Sequence, residues 1–165
     1  MEPKELIAKM TIEEKIMMLT GKNSWSTCEI ERLGIGSAIV SDGPHGLRKV
    51  EAADDGKQVP KKATAFPTLS SLAATWNEEL LQTVGEALAE ECRAEEVDIL
   101  LGPGVNIKRV PFCGRNFEYL SEDPYLAGKL AAAYIKGVQS KGIGTSLKHF
   151  AANNQEIDRN KISAE

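Results

Sequence analysis

The sequence predicts an α/β protein in which buried parallel strands alternate with amphipathic helices. Three observations carry that expectation. Short apolar runs at Ser37-Ala38-Ile39-Val40, Val97-Asp98-Ile99-Leu100-Leu101 and Gly144-Thr145-Ser146-Leu147 alternate too little for half-exposed strands, so they read as strands covered on both faces. Segments of helical spacing with capping residues lie between and before them, giving the strand-helix-strand order of a parallel sheet wrapped by helices. Each strand candidate also runs straight into polar residues, at the strand ends where parallel α/β architectures bind ligands.

The elements follow in chain order. Thr11-Ile12-Glu13-Glu14 has the form of a capping box, and Ile12, Ile16 and Leu19 continue at helical spacing, so a short amphipathic helix opens the chain. The polar run from Lys49 to Lys62 reads as a surface loop. Thr68 to Ala73 is a weaker fourth strand candidate. Asn77 can cap a helix that places Leu81, Val84, Leu88 and Cys92 on one face. Asp123-Pro124 starts another, with Leu126, Leu130, Tyr134 and Val138 on one stripe and Gly142 placed to end it.

Composition narrows the function. The 165 residues amount to one domain or part of a larger one, and 42% hydrophobic residues suffice for a packed core. Lys and Arg number 20 against 24 Asp and Glu, a net charge of −4 with no basic face, which argues against nucleic acid as a partner. No stretch approaches the roughly 20 apolar residues of a membrane span, and the first residues form no apolar leader. Cys28, Cys92 and Cys113 are odd in number and widely spaced, indicating neither a disulfide framework nor a zinc site, so a reducing cytoplasm is expected. His45 and His149 are the only histidines, and metal chemistry is not expected. Gly34-x-Gly36 precedes a strand and lacks a third glycine, and Gly102-x-Gly104 has no following Lys-Ser/Thr; neither is a nucleotide-binding loop, and no cofactor is implied.

The residues that could carry chemistry cluster at the three strand ends. Asp42 stands between a strand and a Gly-Pro turn, where it either caps its own turn or presents a carboxylate to adjacent hydroxyls. Lys148 and His149 pair a cation with a titratable ring at the end of an apolar strand, an arrangement costly to desolvate unless something polar or anionic meets it. Arg115 offers a rigid donor fork, and Glu118 could pair with Arg115 or Arg109. Glu122 and Asp123 fit a helix start better than a catalytic role. The run Asn153-Asn154-Gln155-Glu156 is either solvated surface or a support for His149.

The segments SDGPHGLR from Ser41, TAFPTLSSLAATWN from Thr64, LGPGVNIKRVPFCGRNFEYLSEDPYLAG from Leu101, KGIGTSLKHFAANNQEIDR from Lys141 and the opening MTIEEKIMMLTGK closely resemble the amino-terminal part of β-glucosidases of glycoside hydrolase family 3. The resemblance spans nearly the whole chain and implies that residues 1–165 are the amino-terminal half, three or four βα units, of a TIM-like (β/α)8 barrel. It further implies a sugar pocket at the strand ends. Asp42 resembles the carboxylate that grips distal hydroxyls in the −1 subsite, and Arg48, Arg115, Lys148, His149 and Arg159 resemble the other sugar contacts. The implied substrate is a β-glucoside or cello-oligosaccharide, hydrolysed with retention. Family members that act on xylosides tend to carry Glu at the position of Asp42, and N-acetylglucosaminidase relatives have a His-containing loop in place of the Asn-Asn-Gln-Glu run, which favours the glucosidase expectation.

Retention requires two carboxyl groups about 5–5.5 Å apart. The family nucleophile lies in a Ser-Asp-Trp segment, and this sequence contains no such tripeptide. The expected partner is therefore the remaining half of the barrel or, failing that, a second copy of the chain. The alternative is a non-catalytic carbohydrate-binding or assembly half that pairs with a second chain.

Overall fold

The computed structural model describes residues 2–52 and 58–161. Contacts divide the chain into two compact units, Met1–Val40 and Ser41–Glu165.

The first unit holds helices α1 (Pro3–Lys9) and α2 (Ile12–Leu19), a small antiparallel pair β1 (Gly21–Asn23) and β2 (Ser26–Thr27), and a 3-10 turn at Glu31–Leu33. The capping box forms as the sequence indicates. The Thr11 hydroxyl accepts from the Glu14 N–H at 3.2 Å, and the Glu14 carboxylate accepts from the Thr11 N–H at 2.9 Å. Glu14 also binds the Arg32 guanidinium, which ties the helix to the 3-10 turn.

The second unit carries the main sheet, three strands in the order β3 (Val40–Asp42), β6 (Ile99–Leu101), β7 (Gly144–Thr145). β6 and β7 are parallel, with Ile99 opposite Gly144 and Leu100 opposite Thr145. α4 (Glu78–Ala94) precedes β6 and α5 (Pro124–Ser140) precedes β7, so sequence order and sheet order advance together. This is the βα winding of the amino-terminal half of a TIM-like barrel.

Both long helices form for the reasons legible in the sequence. The Asn77 side chain accepts from the Leu80 N–H at 3.0 Å, and Asp123 accepts from the Tyr125 and Leu126 N–H groups, both at 3.1 Å. Leu81, Val84, Leu88 and Cys92 are all buried on α4, as are Leu130, Tyr134 and Val138 on α5, and removing each large apolar side chain from water contributes roughly 1.5–3 kcal/mol. The helices touch backbone to backbone. A Cβ added at Gly137 would lie 2.1 Å from the Gln82 carbonyl oxygen, and one at Gly85 would lie 2.4 Å from that of Tyr134. The Tyr134 hydroxyl then donates to the Pro44 carbonyl at 2.7 Å, anchoring α5 beneath the loop that follows β3.

Three expectations need correction. The first strand covers Val40–Asp42 rather than Ser37–Val40, so Asp42 ends the strand itself; residues 37–39 instead run beside β2, where the Thr27 N–H donates to the Ala38 carbonyl at 3.0 Å. Thr68 to Ala73 is no strand. The Thr68 hydroxyl accepts from the Ser71 N–H and starts α3 (Leu69–Ala73), whose buried Leu69, Leu72 and Ala73 repeat at helical spacing. The polar run from Lys49 to Lys62 contains an antiparallel pair, β4 (Val50–Ala52) with β5 (Gln58–Pro60), in the register Val50 to Pro60 and Ala52 to Gln58. Ladder bonds satisfy backbone groups whatever the side chains, so a polar sequence did not preclude a hairpin. Residues 53–57 of that run lie outside the described residues.

Candidate functional site

The loop after β3 reverses tightly. The Arg48 N–H donates to the Asp42 carbonyl at 2.9 Å, which sets both side chains at one mouth. Gly43 has φ +121°, and a Cβ there would lie 2.0 Å from the Gly46 carbonyl oxygen, so no other residue fits. Lys148 is placed by continuation of the parallel ladder. Gly144, Ser146 and Lys148 donate in turn to the carbonyls of Asp98, Leu100 and Pro103, at 2.8, 2.9 and 3.0 Å.

These strand ends bring Lys148 Nζ to 2.6 Å from Asp42 Oδ1, while Asp42 Oδ2 lies 3.5 Å from the exposed Arg48 guanidinium. Burial raises the Asp42 carboxyl's pKa, but the Lys148 hydrogen bond and charge, the Gly43 N–H and Arg48 outweigh burial, so the carboxyl titrates below its ordinary value. The side chain is a cation-held carboxylate that also accepts from the Gly43 N–H of its own turn.

Arg115 lies at the start of the 3-10 turn Asn116–Glu118 and bonds the buried Glu118, not Arg109, as that carboxylate's ion partner. Its Nη2 is 2.7 Å from His149 Nε2, and Nη1 is 3.6 Å from Glu156. Arg159 binds Glu156 at 2.9 Å. His149 is held at its backbone as well: Asn106 Oδ1 accepts from its N–H at 2.7 Å, and Asn106 Nδ2 donates to its carbonyl at 3.1 Å. Its Nδ1 is 3.0 Å from the Tyr119 hydroxyl, to which Asn153 donates at 2.8 Å. The run beginning at Asn153 is therefore tied to His149 through Tyr119. Burial, then the charges of Arg115 and Lys148, lower the His149 pKa and keep its ring neutral.

Asp42, His45, Arg48, Arg115, Glu118 and Arg159 line one cleft of about 400 Å³. Of the six residues singled out in the sequence, Asp42, Arg48, Arg115 and Arg159 line this cleft, while Lys148 and His149 line a separate pocket of about 180 Å³ and meet the cleft residues through Asp42 and Arg115. A second open groove, about 440 Å³ beside Trp76, Lys108 and Glu122, holds none of them. Glu122 lies there with no hydrogen bond among the described residues, so the helix cap is Asp123 alone. Sequence reasoning placed His45 and Asn106 in the polar strand-end runs without giving either a role, and passed over Tyr119. The buried Asn106 could have been flagged by its place after Gly102-Pro103-Gly104 at a strand end; Tyr119 reads as core from its flanking apolar residues and declares itself only through its hydroxyl's neighbours.

Among the described residues no group of three or more His, Cys, Asp or Glu side chains could hold a metal ion. Cys28, Cys92 and Cys113 are free thiols, and burial pushes the Cys92 thiol up to about 11, which marks it as a core residue rather than a nucleophile. No helix among the described residues is long and apolar enough to cross a membrane.

Residues 6–161 match the glycosyl hydrolase family 3 N-terminal domain. The chain belongs to that family. It is 59% identical over 160 residues to thermostable beta-glucosidase B of Acetivibrio thermocellus, covering 94% of this chain and 21% of that protein. It is 53% identical over 163 residues to an exo-alpha-(1->6)-L-arabinopyranosidase of Bifidobacterium longum, covering 96% of this chain and 21% of that one. Among solved structures, beta-glucosidase 3B from Thermotoga neapolitana in complex with alpha-D-glucose superposes with a TM-score of 0.81 at 42% identity, covering 93% of this chain and 23% of the other. The chain thus spans about a fifth of the length of these relatives.

Proposed function

We propose that the chain forms the hydroxyl-gripping side of the −1 subsite in a retaining β-glucosidase-like glycoside hydrolase that removes terminal β-D-glucosyl residues. One observation carries the reading: a cation-held carboxylate, Asp42, shares a cleft with Arg48, Arg115 and Arg159. Vicinal sugar hydroxyls need acceptors and donors together, and charged partners make the stronger bonds. In this reading Asp42 accepts from two hydroxyls, while Arg48, Arg115, Lys148 and Arg159 donate to sugar oxygens. His149 supplies a neutral imidazole edge.

The cleaving pair comes from other polypeptide, namely the rest of the barrel and a second domain, so residues 1–165 are one part of a family 3 barrel. The carboxylates around this cleft support that assignment because each is already committed: Asp42 to Lys148, Glu118 to Arg115, and Glu156 to Arg115 and Arg159. The substrate is a β-glucoside or cello-oligosaccharide, and the three free thiols fit a cytoplasmic setting. The arabinopyranosidase relative supports a second reading, in which the same cleft grips the ring hydroxyls of an arabinopyranoside.

The test is to assay the purified 165-residue chain, free of host glycosidase, on 4-nitrophenyl β-glucoside and 4-nitrophenyl α-L-arabinopyranoside. The expected result is no turnover by the chain alone and turnover once the remaining barrel polypeptide is supplied. Turnover that copurifies with the chain alone and disappears in Asp42→Ala would overturn the division of labour. Activity of the completed protein on neither glycoside would overturn the substrate assignment.

A further inference from the structure

The contacts around His149 point to one tautomer. Arg115 Nη2 lies 2.7 Å from His149 Nε2, and a guanidinium has donors but no acceptor. Nε2 must therefore present its lone pair. In a neutral ring the proton then sits on Nδ1, 3.0 Å from the Tyr119 hydroxyl oxygen, which must accept it. Asn153 Nδ2 donates to the same phenol oxygen at 2.8 Å, filling its second lone pair. The reverse arrangement, with Tyr119 donating to Nδ1, would put the ring proton on Nε2 against an arginine N–H.

Tyr119 is held firmly as the matching acceptor. It is 1% exposed, its backbone pairs with Gly104, and its ring meets the imidazole edge-on with centroids 5.9 Å apart. A Cβ at Gly104 would lie 3.0 Å from the Tyr119 ring, so that glycine lets the phenol approach. Asn106 meanwhile fixes the imidazole's backbone on both sides, leaving ring rotation as the freedom that Tyr119 removes.

We propose that Tyr119 is a positioning residue that, by accepting from Nδ1 while Arg115 donates to Nε2, holds His149 in the Nδ1-protonated tautomer, so that an Nε2 lone pair is what an incoming hydroxyl meets. His149 is thereby an acceptor at the cleft and not a donor. A sugar hydroxyl could displace Arg115 from Nε2 by donating a proton, whereas a bare ether oxygen could not. Only this last consequence rests on the sugar-binding reading; the tautomer does not.

The tautomer is read by nitrogen-15 NMR of protein labelled in its imidazoles, in solution or as a sediment under magic-angle spinning. Two histidines make the assignment simple, with His45→Gln identifying the His149 signals. The expected wild-type result at neutral pH is a protonated Nδ1 and an unprotonated Nε2 for His149. Tyr119→Phe together with Arg115→Met removes the acceptor at Nδ1 and the donor at Nε2 but keeps the ring, and should replace the single tautomer by a mixture or by the Nε2-protonated form. Asn153→Ala, which leaves the phenol in place, should keep the wild-type pattern. A protonated Nε2 in the wild-type protein overturns the proposal even if the double variant fails to fold, and so does an unchanged tautomer in a folded protein carrying both substitutions. Glycosidase activity decides the function separately, because the NMR result does not depend on turnover.

Discussion

Asp42→Ala probes the cleft most directly, because the structure assigns each carboxylate oxygen a task. Oδ1 accepts from Lys148 at 2.6 Å, and Oδ2 lies 3.5 Å from Arg48, a weak contact that a sugar hydroxyl would replace in the proposed reading. A charged hydrogen bond contributes about 1.5–3 kcal/mol. Removing the carboxylate deletes at least one such bond to the substrate and also releases Lys148, whose side chain is 16% exposed and is aimed by this pair. The combined loss in transition-state binding is about 2–4 kcal/mol, a fall in kcat/KM of about 30- to 900-fold. The assay is initial-rate hydrolysis of an aryl β-glucoside by the catalytically complete protein, with melting curves showing that the variant is folded. A folded variant whose kcat/KM changes by less than about threefold would show that Asp42 is only a partner for Lys148.

Further outcomes follow from particular contacts. Asp123→Ala removes acceptors from the Tyr125 and Leu126 N–H groups and should cost about 1 kcal/mol in stability, whereas Glu122→Ala should stay within about 0.5 kcal/mol; equal losses in chemical denaturation would contradict the cap assignment. Gly137→Ala drives a Cβ into the Gln82 carbonyl, and the strain, about 1–3 kcal/mol or more, should exceed the roughly 1 kcal/mol that alanine adds to a helix interior; a raised Tm would mean that α4 and α5 part easily. On acidification His45 and His149, both lowered chiefly by burial, take up protons in the unfolded chain before the folded one, so their contribution to stability is present above about pH 6.5 and is lost as pH falls through their folded values. A Tm that holds constant or rises from pH 7.5 to 5.5 would refute this. Asp42, also lowered, adds a separate loss only below about pH 4, as protonation proceeds through its folded pKa.

The sequence by itself determined α2, α4 and α5 and the address of the candidate site, but not α1, which precedes the helix expected to open the chain. Asn77, Asp123 and Thr11 act on donors two or three residues away, and the apolar stripes of α4 and α5 have a period set by the helix alone, so local reading sufficed. Polar residues closing apolar strands likewise marked the mouth where Asp42, Lys148 and His149 now stand. The short strands and the α3 segment were less legible, because a run of two to six residues carries too little periodicity to separate strand from helix and its fate rests on partners elsewhere. Val40–Asp42 is a strand because its neighbour is Ile99–Leu101, and Thr68–Ala73 is not one because the Thr68 hydroxyl finds the Ser71 N–H first.

Only the tertiary structure decided what each polar group does. Asp42 and Lys148 are 106 residues apart in sequence and 2.6 Å apart in space. Glu118 is taken by Arg115 rather than Arg109, and Tyr119 meets His149 across 30 residues through the parallel pairing of Gly104 with both Tyr119 and Lys148. Proton position, ion pairing and the direction of a carboxylate's free oxygen all depend on distances of a few ångströms between groups far apart in the chain. No spacing along the sequence encodes those distances; sheet register and the close crossing of two helices do.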